Sequence, residues 1–257
     1  MGLLDNKTAI ILGASVSGSM GAAIAKRFVD EGANVIISAR SEDKLNVLAQ
    51  DLGVSAHPCD ITSEKQIKAL AEFAVDKFDK LDIAINCVGE AVMGDISNTE
   101  EAAIRRAVDV HYIGPFFFLK HMSAAIDKDG SIITISSITA SRVINNHAAY
   151  VGAKAGTDHL VRVAAIEFGR KNIRVNSVSP GFTVTPMSES FTETEGLVEL
   201  FEKEIPLGRL NTVDDVAQAV TWLSHEDSYI TGQNIQVNGG HSLTRMPSKK
   251  EFIELFK

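Results

Sequence analysis

Short apolar runs alternate with longer amphipathic segments along most of the chain. The runs at residues 10–12 and 35–37 are apolar at every position, which is typical of parallel strands buried on both faces. Runs of this kind predict seven strands, at residues 8–12, 34–38, 54–59, 81–86, 131–135, 173–179 and 235–237.

The segments between the strands repeat apolar residues every three or four positions, as helices with one buried face do. They predict helices at residues 21–31, 42–52, 63–78, 100–126, 149–170 and 213–224, with a break in the fourth helix near Gly114 and Pro115. Strands that alternate with helices indicate an α/β fold, a parallel sheet covered by helices on both faces. No linker or repeat divides the 257 residues, so we expect one domain, with a substrate lid at residues 188–206 and a tail at residues 241–257.

Composition and charge narrow the class of protein. The chain carries 45% apolar residues and a net charge of −8 without a basic run, which disfavours nucleic-acid binding. Its two cysteines, Cys59 and Cys87, lack the spacing of a zinc site, and we expect no metal. No apolar stretch is long enough to span a membrane, and the first residues do not resemble a signal peptide, so we expect a cytoplasmic enzyme.

A glycine-rich loop follows the first strand and leads into the first helix. Glycines at positions 13, 18 and 21 would let the backbone turn sharply and approach a pyrophosphate at the positive end of the helix. An ordinary turn before a helix is the alternative. The position of the loop, after the first strand of a strand–helix–strand unit, favours the interpretation that it binds a dinucleotide.

The end of the second strand predicts which dinucleotide is bound. An NAD site of this type has an acidic residue there, whereas this chain has Arg40 and no carboxylate before Glu42. A guanidinium suits a 2′-phosphate, so we expect a preference for NADP over NAD. The alternative is that Arg40 is a solvated residue at the end of a strand.

Further strand ends contribute to the predicted cofactor site. Asp60 could bind the adenine, or it could cap the following helix. The cofactor residues predicted up to this point are Gly13, Ser15, Ser17, Gly18, Met20, Gly21, Arg40, Asp60, Ile61, Asn86 and Val88, with Tyr150 and Lys154.

The candidate catalytic residues begin the helix predicted at residues 149–170. Tyr150 and Lys154 are four positions apart and therefore share one helix face. A phenol with a pKa of about 10 is a poor base at neutral pH, but a nearby ammonium would lower that pKa and allow general acid–base catalysis. Ser137 ends the fifth strand and could polarise a substrate carbonyl, although a serine there can also belong to an ordinary turn.

Together these motifs resemble the short-chain dehydrogenase/reductase family, over about residues 5 to 240. The resemblance rests on the glycine loop, on Ser137 placed 13 residues before Tyr150, on Lys154, and on the motifs at residues 180–181, 231–233 and 238–240. It implies a Rossmann-like, doubly wound parallel sheet of seven strands, with Ser137, Tyr150 and Lys154 catalytic and with Ser137 and Tyr150 also contacting the substrate. It further implies a homo-oligomer, a tetramer or dimer, and nicotinamide contacts from Pro180, Gly181, Thr183 and Thr185.

The chain departs from the family pattern in two places. Its glycine loop is two residues longer than the usual Gly-x-x-x-Gly-x-Gly motif, which leaves open whether Ser15, Ser17 or Ser19 touches phosphate. His111 stands where the family usually has a catalytic Asn, and a lone helical histidine is more often structural, so we leave it out of the predicted catalytic set.

The predicted function is a carbonyl reductase or alcohol dehydrogenase that acts on a small molecule. Non-redox chemistry by the same Ser/Tyr pair and a cofactor-binding regulator without turnover are the alternatives. The substrate pocket is expected from residues 90–93, 138–147 and 187–206. Its polar candidates for orienting a substrate are Arg142, Asn145, Asn146 and His147, unless these belong to a solvated loop.

Overall fold

A computed structural model of the chain describes residues 2–186 and 188–255. Within these residues the strands are β1 (Thr8–Leu12), β2 (Asn34–Ser38), β3 (Ser55–Ala56), β4 (Ile83–Asn86), β5 (Ser131–Ile135), β6 (Arg174–Pro180) and β7 (Asn234–Val237). They form one sheet in the order β3-β2-β1-β4-β5-β6-β7, and every neighbouring pair is parallel. The Rossmann-like α/β fold is therefore confirmed.

Helices cover both faces of this sheet. They are α1 (Met20–Asp30), α2 (Glu42–Leu52), α3 (Glu64–Phe78), α4 (Glu101–Val108), α5 (Gly114–Ala125), α6 (Ala148–Phe168), α7 (Glu189–Thr192), α8 (Leu197–Glu202), α9 (Val213–Ser224) and α10 (Lys249–Leu255). Along β1, Ile11 packs into the core cluster formed with α1, α2 and α9, whereas Ile10 and Leu12 pack into the cluster formed with α3, α5 and α6. This alternation explains why the strands are apolar at every position.

The third strand is shorter than the predicted residues 54–59. Beyond it, the carbonyl of His57 accepts from the side-chain hydroxyl of Ser38 at 2.6 Å, whereas the missing N–H of Pro58 lies on the outer side of this edge strand and removes no bond to β2. The N–H groups of His57 and Cys59 on either side still donate to the carbonyls of Ile37 and Ala39, each at 3.1 Å. The chain thus stays beside β2 although the strand itself ends early.

The predicted break in the fourth helix is a π-helical turn, Asp109–Ile113, between α4 and α5. The N–H of Gly114 bonds to the carbonyl five residues back, as a π turn requires. Pro115 lacks the N–H that would bond to the carbonyl of His111. That carbonyl instead accepts a hydrogen bond from the hydroxyl of Thr157 on α6.

Residues 188–206 and the tail are more ordered than their polar sequence indicates. The first segment contains α7 and α8, and the tail contains α10. Their apolar side chains join a third core cluster, in which the ring of Phe252 of the tail lies 6.0 Å from the ring of Phe201 of α8. Met187, at the start of the predicted pocket segment, and the last two residues of the tail, 256 and 257, lie outside the described residues. In the part of the chain that the structure describes, no helix is both long and apolar enough to cross a bilayer.

The core of the α1 face should depend on Phe28, whose side chain is fully buried. Replacing it with alanine leaves a cavity, so Phe28→Ala is expected to lower the free energy of unfolding by about 3–5 kcal/mol in urea titrations. Val47→Ala on the exposed side of α2 is the control, with an expected change within about 0.5 kcal/mol. Equal unfolding midpoints for the two variants would contradict this view of the core.

Candidate active site

One cleft of about 1110 Å³ opens where the parallel strands end. Residues that follow five different strands line it: Gly13 after β1, Arg40 after β2, Val88 after β4, Ser137 after β5 and Gly181 after β6. Of the residues predicted to hold a cofactor, those on the cleft wall are Gly13, Ser15, Met20, Gly21, Arg40, Asp60, Ile61, Val88, Tyr150, Lys154, Pro180, Gly181, Thr183 and Thr185.

The glycine loop brings β1, β4 and α1 together too closely for side chains. A Cβ on Gly13 would lie 2.8 Å from the backbone of Cys87 and Val88, and a Cβ on Gly21 would lie 2.5 Å from the carbonyl oxygen of Gly13. Gly13 also has a φ of +99°, which favours glycine. The hydroxyl of Ser19 caps α1 by accepting from the N–H of Ala22 at 3.3 Å. The resulting cradle at the helix N-terminus fits a pyrophosphate.

Three predicted cofactor residues are not on the cleft wall. Ser17 and Gly18 are exposed at the tip of the lengthened loop, where Gly18 lies near the side chain of Pro186. Asn86 is buried, and its Oδ1 accepts from the N–H of Val88 at 3.0 Å. Asn86 therefore shapes the turn after β4, and Val88 lines the cleft in its place.

Two cationic side chains line the cleft at the end of β2. Arg40 lines it together with Ser41 and Lys44, two neighbours that the sequence reasoning did not single out. Lys44 could have been found from its place in the first turn of α2.

Asp60 does not cap α3, since Ser63 takes that role. Its Oδ1 accepts from the N–H and the hydroxyl of Thr62 at 2.9 and 2.8 Å. Burial alone would raise the pKa of Asp60, but these bonds and the charges of Arg40 and Arg106 bring that pKa below its usual range. Asp60 is thus an anionic acceptor on the cleft wall.

The first two turns of α6 bring Tyr150 and Lys154 beside Ser137. Lys154 is buried, its Nζ donates to the carbonyl of Ile135 at 2.6 Å, and the same atom lies 5.8 Å from the centre of the Tyr150 ring. The hydroxyl of Ser137 is hydrogen-bonded to that of Thr139, with 2.9 Å between the oxygens.

Burial dominates the pKa values of Tyr150 and Lys154. It raises the pKa of Tyr150, and a hydrogen bond with Ser137 offsets only part of the rise. Burial also lowers the pKa of Lys154 to about 8, against the attraction of Asp158. The pKa of the Tyr150 phenol is therefore raised, although a nearby ammonium was expected to lower it. The reason is that burial disfavours the charged form of both groups.

His111 lies in the π turn and contacts Tyr150 directly. Its ring meets the tyrosine ring edge-on, with 4.9 Å between centroids and 84° between planes. Its Nε2 donates to the carbonyl of Glu90 at 2.9 Å, while Nδ1 is buried and has no hydrogen-bond partner among the residues that the structure describes. Burial lowers the pKa of His111 to about 4, so the ring is neutral at neutral pH. The predicted catalytic set did not include His111. Its position, where the family usually has a catalytic Asn, is the sequence feature that could have placed it at the site.

An ion pair between Glu90 and Arg106 holds the loop whose carbonyl accepts from His111. The carboxylate of Glu90 accepts from Nε of Arg106 at 3.0 and 3.1 Å and from its Nη2 at 2.6 Å. Because the carbonyl of the same Glu90 accepts from His111, this pair helps to fix the ring beside Tyr150. Glu90 and Arg106 are 16 residues apart in sequence, and no sequence motif predicts their ion pair.

The far end of the cleft is largely apolar. All three predicted pocket segments contribute to its wall, and the tail adds Met246, Lys249, Phe252 and Ile253. The contributions from the segments are Glu90, Ala91 and Met93, then Ile138, Thr139, Ile144, Asn145, Asn146 and His147, and then Ser188, Phe191, Leu197 and Phe201. Arg142 is the polar candidate that does not line the cleft, since its Nε donates to the carbonyl of Ser242 and ties this loop to the tail.

Comparison with known proteins places the chain among oxidoreductases. Residues 13–242 match a protein family described as enoyl-(acyl carrier protein) reductase. The chain is 33% identical to the mitochondrial borneol dehydrogenase of Lavandula x intermedia, over 93% of this chain and 92% of that protein. It is 35% identical to the 7alpha-hydroxysteroid dehydrogenase of Escherichia coli K12, over 92% and 94%. A solved structure of a short-chain type dehydrogenase/reductase from Mycobacterium ulcerans superposes with a TM-score of 0.92 at 31% identity, over 98% and 95%.

The buried, neutral His111 should make the fold sensitive to acid. Its pKa falls from 6.5 to about 4 on folding, so between these values the unfolded chain binds a proton that the folded chain does not. The free energy of unfolding should therefore decrease as the pH is lowered through this window, by up to about 3 kcal/mol. Urea titrations from neutral pH to the lower end of the window should show a flatter pH dependence for His111→Asn than for the unmodified protein. His159→Asn, on the exposed side of α6, is the control; a flattening as large as that of His111→Asn would contradict the prediction.

Proposed function

The chain belongs to the short-chain dehydrogenase/reductase family, and on that premise we propose that it transfers a hydride between NADP(H) and a secondary alcohol or its ketone. The observation that carries the proposal is the grouping of Tyr150, Lys154 and Ser137 in the cleft that also contains the glycine cradle. Tyr150 is the proposed general acid and base.

The residues on the cleft wall fit a dinucleotide. The backbone around Gly13 and Gly21 leaves no room for side chains and suits a pyrophosphate, and Asp60 suits a hydrogen-bond donor on the adenine. Arg40 and Lys44 present two cations where a 2′-phosphate would lie, which favours NADP. When bound, the nicotinamide supplies or accepts the hydride. Pro180, Gly181, Thr183 and Thr185 are the proposed contacts at that end of the cleft.

Side chains of this protein would transfer the proton to and from the substrate oxygen. In ketone reduction, the phenol of Tyr150 donates its proton to the oxygen that becomes the alcohol; in oxidation, the phenolate removes it. Ser137 donates a hydrogen bond to the same substrate oxygen and stabilises its developing charge. Lys154, as an ammonium, stabilises the phenolate and suits a ribose hydroxyl.

The substrate class that fits the cleft is an alcohol or ketone on an apolar ring skeleton. Met246, Phe252 and Ile253 from the tail and Phe191 from α7 give the far end of the cleft an apolar wall. Two relatives are named for borneol and for a 7alpha-hydroxysteroid, in which the hydroxyl sits on a ring of this kind.

We also propose how the chain is organised around this reaction. Residues 1–257 form one catalytic domain, in which residues 188–206 and the tail together cover the substrate. Exposed apolar residues on the neighbouring helices α5 and α6, Phe116 and Ile166, favour a homo-oligomer that buries this face.

Removal of the Tyr150 hydroxyl tests the proposed reaction. Tyr150→Phe keeps the ring packed against His111 but cannot exchange a proton, so kcat should fall by about 10²–10⁴-fold with little change in NADPH affinity. The assay follows NADPH absorbance with a panel of cyclic ketones and alcohols. Tyr229→Phe, fully exposed, is the matched control and should keep full activity. Full activity in Tyr150→Phe would refute the acid–base role.

Arg40 tests the choice of cofactor. Arg40→Ala loses a charged donor to the 2′-phosphate, so kcat/KM for NADPH should fall by about 10–100-fold while that for NADH changes little. Lys26→Ala on the exposed side of α1 controls for loss of a positive charge. A kcat/KM for NADH well above that for NADPH in the unmodified protein would overturn the proposed preference.

A further inference from the structure

A carboxylate lies on the same helix face as the proposed catalytic pair. Asp158 follows Lys154 by four residues and Tyr150 by eight on α6, so the three side chains are stacked along one face. Its Oδ2 accepts from the hydroxyl of Ser136 at 2.8 Å, and Ser136 is the residue before Ser137. Asp158 is thereby tied to the strand end that forms the catalytic site.

The other carboxylate oxygen of Asp158 is not satisfied by a hydrogen bond. Oδ1 is buried and has no partner among the described residues. A buried polar atom without a partner costs free energy unless a nearby charge compensates it. Lys154 is a buried cation whose Nζ donates to a neutral acceptor, the carbonyl of Ile135. Asp158 acts on Lys154 through space, and its negative charge partly offsets the cost of burying the ammonium.

The remaining groups that face Lys154 do not offer a negative charge at neutral pH. Burial raises the pKa of the Cys87 thiol to about 12, and burial lowers the pKa of His111 to about 4. The Tyr150 phenol has a raised pKa, and Ile135 contributes a neutral carbonyl. Asp158 is left as the group of opposite sign within the described surroundings of Lys154.

We propose that Asp158, held in place by Ser136, is a positioning residue that supplies the fixed counter-charge for the buried Lys154 ammonium and opposes ionisation of Tyr150. This inference rests on the proposed function of Tyr150 and Lys154 and adds a residue to it. Its two effects share one sign. Attraction favours the protonated lysine, and repulsion disfavours the phenolate, so the carboxylate shifts both titrations towards higher pH.

The direct test removes the charge and keeps the shape. In protein labelled with ¹³C at the lysine ε-carbons, the Lys154 signal is assigned with Lys154→Arg and followed as a function of pH. Lys154 should titrate near its value of about 8 in the unmodified protein and about one pH unit lower in Asp158→Asn. Glu167→Gln, an exposed carboxylate near the end of the same helix, is the matched control and should leave the titration unchanged.

Ser136→Ala separates charge from packing. It removes the hydrogen bond that holds Asp158 but keeps the carboxylate, so the Lys154 titration should shift less than in Asp158→Asn. An unchanged Lys154 titration in Asp158→Asn, or equal shifts in Asp158→Asn and Ser136→Ala, would overturn the proposal. If Asp158→Asn does not fold, Asp158→Glu is used, which retains the charge and should keep the pKa of Lys154 at about 8. A lower pKa of Lys154 in Asp158→Glu would also overturn the proposal.

A kinetic readout distinguishes this inference from the proposed function. In NADP⁺-dependent oxidation of cyclohexanol, both limbs of the pH profile of kcat/KM should move to lower pH in Asp158→Asn, whereas loss of packing would lower the rate without a coherent shift. If no alcohol in the panel is oxidised, the proposed function fails, and the lysine titration still decides the role of Asp158.

Discussion

A parallel sheet buried on both faces is the constraint on which the rest of this structure depends. Because every strand runs in the same direction, every strand ends at one edge, and residues that are far apart in sequence meet there. Gly13, Arg40, Val88, Ser137 and Gly181 reach one cleft in this way. The core clusters on the two faces hold the strands in register, so the positions of these residues follow from apolar packing.

The same burial governs the electrostatics of the site. It moves the pKa of Lys154 from 10.5 to about 8, a change that corresponds to about 3 kcal/mol against the ammonium. It also disfavours the phenolate of Tyr150. Groups of fixed polarity oppose these effects: the carbonyl of Ile135 and the carboxylate of Asp158 for the lysine, and the hydroxyl of Ser137 for the tyrosine. Proton transfer at neutral pH therefore depends on a few fixed dipoles and charges in an apolar setting.

Features that depend on neighbouring residues could be predicted from the sequence, whereas contacts between residues far apart in the chain could not. Alternation gave the bounds of β1, β2 and β5, and spacing identified Tyr150 with Lys154. Where β3 ends early, the carbonyl of His57 accepts from the hydroxyl of Ser38, a side-chain contact that the apolar run does not encode. The contact of His111 with Tyr150 and the pair of Glu90 with Arg106 join separate elements, and no periodicity encodes them.

One local feature nevertheless reaches directly into the site. Pro115 removes a donor from the helix, which leaves the carbonyl of His111 free to accept from Thr157 on α6. The π turn is thereby fastened to the helix that carries Tyr150, and the neutral ring of His111 packs on the tyrosine from that fixed backbone. Tyr150 thus lies between the uncharged ring of His111 and the hydroxyl of Ser137, neither of which changes its charge in the neutral range. Lys154, whose pKa is about 8, is the neighbour that does lose its charge just above neutral pH, so the state of the phenol follows the state of the lysine.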